Sequence, residues 1–234
     1  MSIYTNTDGK IGILTLDRPK RSHAYDQEHL MAIEQGVRTL AQESRVILIQ
    51  STGERAFCAG ADLDELQGRR SEDALDLLSH HVFEQIARCP IPTIAVVQGE
   101  AVAGGFELAL ACDFRVLHHR AVMWLPETAM GLIPAAGGTT RLTALVGASV
   151  AKAIILAGRR LEAPRALALG LAIEVCEEPR GAAMALAKEI SEREPVALRL
   201  AKGLIDSRIE PRSLEQELLA EAVLYGRRTP RERG

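Results

Sequence analysis

Residues 103–109 read Ala-Gly-Gly-Phe-Glu-Leu-Ala, and this stretch decides how the chain is interpreted. The pattern predicts a helix that begins at Gly104, where unpaired backbone N–H groups and the positive end of the helix dipole attract an oxygen atom. Glu107 comes three residues later, which places it on the same helix face, one turn deeper. Alternatively, Gly104 and Gly105 merely allow the helix to pack closely on a strand.

Two further segments carry candidate site residues. In the turn Ala59-Gly60-Ala61-Asp62, small side chains leave the backbone open, so the N–H of Ala61 is a second candidate donor, although an ordinary turn has the same composition. Glu127 follows Pro126 and lies 127 − 107 = 20 residues after Glu107; taken alone, it is most simply a surface glutamate. Two N–H donors facing one point would form an oxyanion hole, and two carboxylates beside it could move protons.

Composition excludes several classes of function. The chain has 234 residues, of which 47% are hydrophobic and 25% charged, as in a globular protein with a substantial core. A net charge of −3 and an aromatic content of 3% do not favour nucleic-acid binding. Four cysteines without a Cys-x-x-Cys pair predict neither a metal site nor a redox dithiol, and they favour a cytoplasmic location. No secretory h-region or membrane span is expected.

Predicted strands and helices alternate in the first part of the chain. Strands are predicted at residues 11–16, 46–49, 93–97 and 114–117, and helices at 26–42, 72–88 and 104–112. This order favours an α/β fold with stacked sheets. From about residue 139, segments rich in alanine and leucine predict consecutive helices. We therefore expect an α/β core with the active site at 1–138 and a helical region for packing and oligomerisation at 139–234.

The order and spacing of the motifs resemble the crotonase superfamily, also called the enoyl-CoA hydratase/isomerase family. The likeness runs from about residue 11 to residue 234 and includes Asp17-Arg18-Pro19-Lys20, residues 56–62, residues 104–109, Pro126-Glu127 and residues 131–139 with Arg141-Leu142. The resemblance implies a crotonase-like spiral of ββα units with a C-terminal helical trimerisation region. It also implies acyl-CoA substrates and oxyanion-hole N–H groups at Ala61 and Gly104.

The same resemblance assigns the chemistry. Glu107 and Glu127 match the two glutamates that hold and activate water in the hydratases, whereas isomerases usually rely on the one at the position of Glu127. Both glutamates are present, which favours an enoyl-CoA hydratase that adds water across the 2,3 double bond of a 2-enoyl-CoA. The alternatives are a double-bond isomerase and a non-catalytic binding protein. No cofactor is expected, since coenzyme A is part of the substrate, and a homotrimer or a dimer of trimers is expected.

The resemblance further implies a set of substrate-binding residues: Lys20, Arg21, Ala24, Ala59, Asp62, Leu63, Asp64, Trp124 and Ala135. Trp124 replaces a residue that is usually small in the family, so its ring either limits the acyl pocket or packs in the core. His23 lies in a segment that also departs from the family pattern, and a capping role for its side chain is favoured over contact with a ligand.

Overall fold

The computed structural model describes residues 3–62 and 77–206, which form two β-sheets and seven α-helices. The strands are β1 (Ile3–Asp8), β2 (Ile11–Leu16), β3 (Val46–Ser51), β4 (Ala56–Cys58), β5 (Thr93–Val97), β6 (Glu100–Val102), β7 (Phe114–His118), β8 (Val122–Trp124), β9 (Leu161–Glu162) and β10 (Glu174–Cys176). The helices are α1 (Gln27–Glu43), α2 (Leu78–Ala87), α3 (Gly104–Ala111), α4 (Gly138–Ile155), α5 (Ala163–Ala168), α6 (Pro179–Ser191) and α7 (Pro195–Asp206). One-turn 3-10 helices cover Pro19–Arg21 and Glu127–Met130.

The chain passes repeatedly between a large sheet and a small one. The large sheet has the strand order β1-β2-β3-β5-β7-β10, and the small sheet has the order β4-β6-β8-β9. Strands β3, β5 and β7 of the large sheet are followed directly by β4, β6 and β8 of the small sheet. Pairing is parallel along both series, and only the outer strands β1 and β9 run antiparallel to their neighbours. Helices follow β4 and β6, so the architecture is the predicted α/β spiral of ββα units.

The large sheet is covered on both faces, which explains its nearly continuous apolar strands. Ile47 and Ile49 of β3 face the main core, which also contains residues from the small sheet and from α1 to α5. Val46 and Leu48 alternate with them and face a second core that α6 closes with Ala183, Ala187 and Ile190. The predicted strands at 11–16, 46–49, 93–97 and 114–117 are confirmed as β2, β3, β5 and β7.

Helix α1 follows the rules for an amphipathic helix. The side chain of Asp26 accepts a hydrogen bond from the backbone N–H of His29 at 3.0 Å, which satisfies one of the free donors at the helix start. The apolar positions face the main core: Leu30, Ile33, Val37 and Leu40 are buried. The predicted helix with Asp26 as its N-cap is therefore confirmed.

The sequence did not indicate several short elements. Strand β1 pairs along the edge of β2, and most of its residues are exposed and polar, so it carries little apolar alternation. Helix α4 begins at Gly138 rather than near residue 149, with a break in helical geometry at Gly147. Within the segment predicted as helical, β10 joins the large sheet beside β7. Of the described helices, none combines the length and the apolar character that a membrane span needs.

Candidate active site

The parallel strands of the small sheet bring the candidate residues to one edge. Strands β4, β6 and β8 pair side by side in the same direction, so their C-terminal ends lie together. Ala61 follows β4, Gly104 follows β6, and Glu127 follows β8. Glu107 joins them from the first turn of α3, the helix that Gly104 begins. Three separate sequence motifs therefore meet at one place.

The backbone around Ala61 is held so that its N–H faces away from the neighbouring chain segment. Tyr25 donates its N–H to the carbonyl of Gly60 at 2.9 Å, and its carbonyl accepts the N–H of Asp62 at 2.8 Å. Because a bridge of this kind uses alternate peptide groups, the N–H of Ala61 points to the other side. Within residues 3–62 and 77–206, no hydrogen bond uses the N–H of Ala61 or of Gly104. Both are therefore available as donors.

Gly60 brings these two donors close together. Its φ of +89° is in the region that only glycine adopts without strain. A Cβ at this position would lie 3.0 Å from the backbone nitrogen of Gly104 and 3.1 Å from the carbonyl oxygen of Val102. The loop after β4 therefore packs directly on the start of α3, as an oxyanion hole built from Ala61 and Gly104 requires.

Gly104 and Gly105 each allow a different neighbour to approach the start of α3 closely. A Cβ on Gly105 would come within 1.9 Å of the carbonyl oxygen of Cys58, so this glycine allows α3 to pack on the end of β4. A Cβ on Gly104 would come within 1.8 Å of the hydroxyl oxygen of Tyr25. Close packing is thus one reason for the Gly-Gly pair, and a buried tyrosine beside the candidate donor is the other. Tyr25 was not among the predicted site residues.

The backbone at Ala103 is strained. Its φ of 51° and ψ of −127° are unfavourable for a residue with a Cβ. The carbonyl of Ala103 accepts the N–H groups of Phe106 and Glu107, at 2.9 and 3.1 Å, while its own N–H donates to the carbonyl of Trp124 at 3.0 Å. These bonds fix the start of α3 against the end of β8, and hence Glu107 near Glu127.

Glu107 is buried, and one of its oxygens is fixed by the backbone. Oε1 accepts hydrogen bonds from the N–H groups of Ala136 and Gly138, both at 2.8 Å. Burial raises the pKa of Glu107, while these two N–H groups and the charge of Arg141 act in the opposite direction. The donors favour the carboxylate form and fix its orientation.

Glu127 is only 8% exposed and has a different environment. Its Oε2 is buried, and no hydrogen-bond partner for it lies within the part of the chain that the structure describes. Burial raises the pKa of Glu127 to about 7, its own backbone N–H lowers it, and the negative charge of Glu107 raises it further. The charge of Glu107 therefore acts on Glu127, and both effects favour the protonated form of Glu127.

The predicted substrate-binding residues after β2 lie on the loop that packs beside Ala61. Lys20 and Arg21 are exposed on the 3-10 helix Pro19–Arg21, and Ala24 is buried. Asp62 is buried and forms ion pairs with Arg18 at 3.0 Å and with Arg21 at 3.8 Å. These two arginines hold the Asp62 side chain beside the 3-10 helix Pro19–Arg21.

Two more members of the binding set lie next to this loop. Ala59 is half-buried, and its N–H donates to the carbonyl of Ser22 at 3.0 Å. His23 is buried, and its Nδ1 accepts the N–H of Arg18 at 3.0 Å, which agrees with the capping role. Leu63 and Asp64 lie outside the described residues.

Trp124 and Ala135 border the site from other sides. Trp124 lies at the end of β8, on the face opposite to the buried Met123, and the guanidinium carbon of Arg160 is 4.4 Å from its ring centre. Its Nε1 is buried without a partner in the described ranges. Ala135 is exposed, and its carbonyl accepts a hydrogen bond from His80 Nδ1 at 3.0 Å.

The cysteine, histidine and acidic side chains of the described residues bear on two further kinds of chemistry, a metal site and a cysteine nucleophile. Within residues 3–62 and 77–206, no three His, Cys, Asp or Glu side chains are grouped to hold a metal ion. Burial raises the pKa of the Cys58 and Cys112 thiols to about 12, so neither is an activated nucleophile. The fold and this site place two buried carboxyl groups near two backbone N–H groups, an α/β arrangement that can polarise a carbonyl oxygen and move protons beside it.

Comparison with known proteins identifies the family. The family model described as Enoyl-CoA hydratase/isomerase matches residues 6–232. The Arabidopsis thaliana protein named "Probable enoyl-CoA hydratase 2, mitochondrial" is 38% identical over 228 residues, which cover 94% of this chain and 75% of the relative. The short-chain-enoyl-CoA hydratase of Clostridium acetobutylicum is 32% identical over a region that covers 96% of this chain and 88% of the relative. The chain belongs to the enoyl-CoA hydratase/isomerase family.

Solved structures agree with this assignment. The crystal structure of an enoyl-CoA hydratase from Bacillus anthracis superposes with a TM-score of 0.90 at 32% identity, covering 95% of this chain and 90% of that one. The predicted crotonase-like fold is thereby confirmed.

Proposed function

We propose that this enzyme is a hydratase that adds water across the 2,3 double bond of a 2-enoyl-CoA. One observation carries the proposal: two buried carboxyl groups, Glu107 and Glu127, lie together beside two backbone N–H groups that have no partner among the described residues. A hydratase needs two proton-transfer groups, one for water and one for carbon, next to a polarised carbonyl.

In the proposed reaction, the thioester oxygen accepts hydrogen bonds from Ala61 and Gly104, which makes C3 of the enoyl chain electrophilic. The Glu107 carboxylate takes a proton from water while the water oxygen bonds to C3. Negative charge develops on the thioester oxygen, where fixed N–H donors stabilise it most. Protonated Glu127 then gives its proton to C2. One O–H bond of water, the C2–C3 π bond and the O–H bond of Glu127 break, while the C3–O bond, the C2–H bond and an O–H bond on Glu107 form. Transfer of one proton from Glu107 to Glu127 then restores both carboxyl groups.

The two environments support this division of roles. Burial raises the pKa of Glu107, whereas two backbone N–H donors on Oε1 and the nearby charge of Arg141 favour its carboxylate form. Glu127 has a pKa raised to about 7 by burial, so it is partly protonated at neutral pH. A carboxylate held by backbone donors beside a carboxyl group of raised pKa can supply the base and the acid that such a reaction needs.

A double-bond isomerase of the same family is the second candidate. It would use Glu127 alone to carry a proton between C4 and C2, and a pKa near 7 suits a group that both takes and gives a proton. A non-catalytic binding protein is less well supported. Such a protein has no use for a buried carboxyl group without a partner, which lowers stability.

Isosteric glutamine variants separate these candidates. Glu107→Gln keeps an oxygen that can accept the N–H groups of Ala136 and Gly138 but cannot take a proton. For a hydratase, Glu107→Gln and Glu127→Gln should each lower kcat about 100-fold or more, the usual contribution of a positioned acid–base group. Hydration is followed by loss of ultraviolet absorbance of the 2-enoyl thioester, and isomerisation by its appearance from a 3-enoyl thioester.

The surface variant Glu34→Gln on α1 is the control, because the ion pair that the structure describes for Glu34 is with Arg38, one helical turn away. If Glu107→Gln hydrates normally, or if 3-enoyl-CoA is the better substrate, the isomerase replaces the hydratase. Failure to bind any CoA ester would favour the third alternative, a non-catalytic protein that keeps the fold but does not bind these substrates.

We also propose a homotrimer or a dimer of trimers that binds its substrate without a cofactor. Several large apolar side chains are about half or more exposed, which favours contact with further subunits. They are Met130, Leu132, Ile133 and Leu156. Light scattering should give three or six copies; a monomer of 25.4 kDa would contradict this.

The proposal extends to the length of the acyl chain and to the residues that bind coenzyme A. A preference for short acyl chains is supported by the bulk of Trp124 and by the name of the Clostridium relative. Exposed Lys20 and Arg21 are proposed to bind the phosphates of coenzyme A.

The four free cysteines favour a location in the cytoplasm, although the Arabidopsis relative is named mitochondrial. Cell fractionation tests the location.

A further inference from the structure

The loop between Pro134 and Gly138 encloses the carboxylate of Glu107. Its two N–H donors to Oε1 come from Ala136 and from Gly138, the first residue of α4. A Cβ on Gly138 would lie 2.7 Å from the Cβ of Pro134 and 2.9 Å from Oε1 of Glu107. The loop and the carboxylate are therefore in close contact, and displacement of the loop displaces the carboxylate.

Side chains from α2 and α4 hold this loop from its other side. Arg141 of α4 donates from Nη1 to the carbonyl of Ala136 at 2.8 Å and from Nη2 to Oε2 of Glu84 at 2.6 Å. His80 of α2 donates to the carbonyl of Ala135 at 3.0 Å. His80 and Glu84 are four residues apart, so they lie on the same face of α2.

The contact between Arg141 and the loop is also close at Gly137. This residue has a φ of +103°, and a Cβ there would come within 1.9 Å of Nη1 of Arg141. The side chain of Arg141 is only 16% exposed, and that of Glu84 is 37% exposed. A partly buried ion pair with a direct hydrogen bond to the backbone holds its geometry better than a pair in open solvent.

Ala136 links the two sets of contacts. Its N–H binds the Glu107 carboxylate and its carbonyl binds Arg141, so the chain of contacts runs from Glu84 through Arg141 and Ala136 to Glu107. We propose that Arg141 and Glu84 are positioning residues, which hold the loop around Glu107 and thereby orient its carboxylate toward the attacking water. This role rests on the proposed hydratase function. The positive charge of Arg141 also favours the ionised form of Glu107.

The test compares Arg141→Gln, Arg141→Lys and Glu84→Gln with the matched control Arg88→Gln. Arg88 pairs with the other oxygen of Glu84 at 2.7 Å, and its side chain is 77% exposed, so its loss leaves the Arg141 contact intact. Arg141→Gln and Glu84→Gln should lower kcat about 10-fold to 100-fold with little change in KM, as expected for a displaced reacting group. Arg141→Lys should recover part of the loss, and Arg88→Gln should match the parent enzyme.

A second measurement does not depend on turnover. Titration of the Glu107 carboxyl group by carbon-13 NMR should show a higher pKa in Arg141→Gln than in the parent, and an unchanged pKa in Arg88→Gln. If the parent protein proves not to be a hydratase, this titration still tests the contact.

Two results would overturn the proposal. One is an Arg141→Gln enzyme that keeps both the parent kcat and the parent pKa of Glu107. The other is a loss in Arg141→Gln and Glu84→Gln that appears mainly in KM. Should Arg141→Gln fail to fold, Glu84→Gln decides the matter, because it keeps the arginine but removes the carboxylate that orients it; an unchanged kcat in Glu84→Gln would then overturn the proposal.

Discussion

The hydroxyl oxygen of Tyr25 lies so close to Gly104 that a Cβ on this glycine would come within 1.8 Å of it. The ring carbon that carries the hydroxyl would be 2.8 Å away. Tyr25 is itself buried, with its ring packed edge-on against Phe83, so it has little room to move. The identity of the residue at position 104 is therefore coupled to that at position 25.

The first prediction concerns this coupling. Gly104→Ala should lower hydration about 100-fold, comparable with loss of one oxyanion-hole donor, because the collision with Tyr25 displaces the start of α3. In the double variant Gly104→Ala/Tyr25→Leu the collision is absent, and we expect at least about a tenfold recovery of kcat, since the donor returns to its place. Steady-state rates and thermal unfolding of the three variants provide the measurement.

A double variant that regains stability without activity would lead to another conclusion. It would mean that the methyl group on residue 104 obstructs the thioester oxygen directly. The single variant Tyr25→Leu serves as the control for any contact that Tyr25 itself makes.

The second prediction concerns the pH dependence of stability. The pKa of Glu127 is raised from 4.5 to about 7 in the folded protein, mainly by burial, so the folded state binds more protons than the unfolded state between these values. The free energy of unfolding therefore falls as pH rises from about 4.5 to about 7. Glu127→Gln should remove this contribution and unfold at a higher temperature than the parent at pH 8, with little difference at pH 4.

Thermal unfolding across this pH range measures the effect, with Glu34→Gln as the surface control. A Glu127→Gln variant that runs parallel to the parent at every pH would show that Glu127 titrates normally.

The third prediction concerns the strained backbone of Ala103. Ala103→Gly removes a backbone strain of about 1–3 kcal/mol at φ 51°. Glycine also increases the entropy of the unfolded chain, which lowers the free energy of unfolding by about 0.4–1 kcal/mol. We expect a net stabilisation of about 1 kcal/mol, or roughly 2–4 °C in Tm. The matched change Ala41→Gly within α1, where the backbone is helical, should instead destabilise by about 1 kcal/mol. Equal losses in both variants would indicate that Ala103 is not strained.

The fourth prediction concerns acyl-chain length. Trp124→Ala should shift relative kcat/KM toward longer 2-enoyl chains, since each methylene accommodated in an apolar pocket contributes about 1–3 kcal/mol. Arg160→Gln is the control: it removes the cation that stacks on the ring at 4.4 Å but opens no comparable space. An unchanged chain-length profile in Trp124→Ala would place the ring outside the acyl pocket.

Local sequence patterns were sufficient for the features that depend on neighbouring residues. The apolar runs of β3 and β5, the Asp26 cap of α1 and the start of α3 at Gly104 are each determined within one short stretch. By contrast, β4, β6 and β8 have only three residues each, too few for an alternation to be recognised. These strands exist because they pair with one another, which a local pattern does not record.

Contacts between side chains of distant segments could not be predicted either, because local patterns do not record them. Tyr25 and Gly104 carry no shared motif, and Arg141 binds a glutamate 57 positions earlier. The local hint of the loop around Glu107 was the run of small residues before Arg141, in which the family resemblance had given a role, substrate binding, to Ala135 alone. The two candidate carboxyl groups could be proposed from sequence, whereas the groups that contact them required the fold.

The spread of the candidate site residues along the spiral has a consequence for folding. Residues 61, 104 and 127 lie in successive turns, and they meet only when β4, β6 and β8 have paired after their crossovers. Parallel pairings of this kind join distant parts of the chain and form late. Recovery of catalysis during refolding should therefore lag behind the recovery of helix, and no partly assembled state of the chain should turn over substrate.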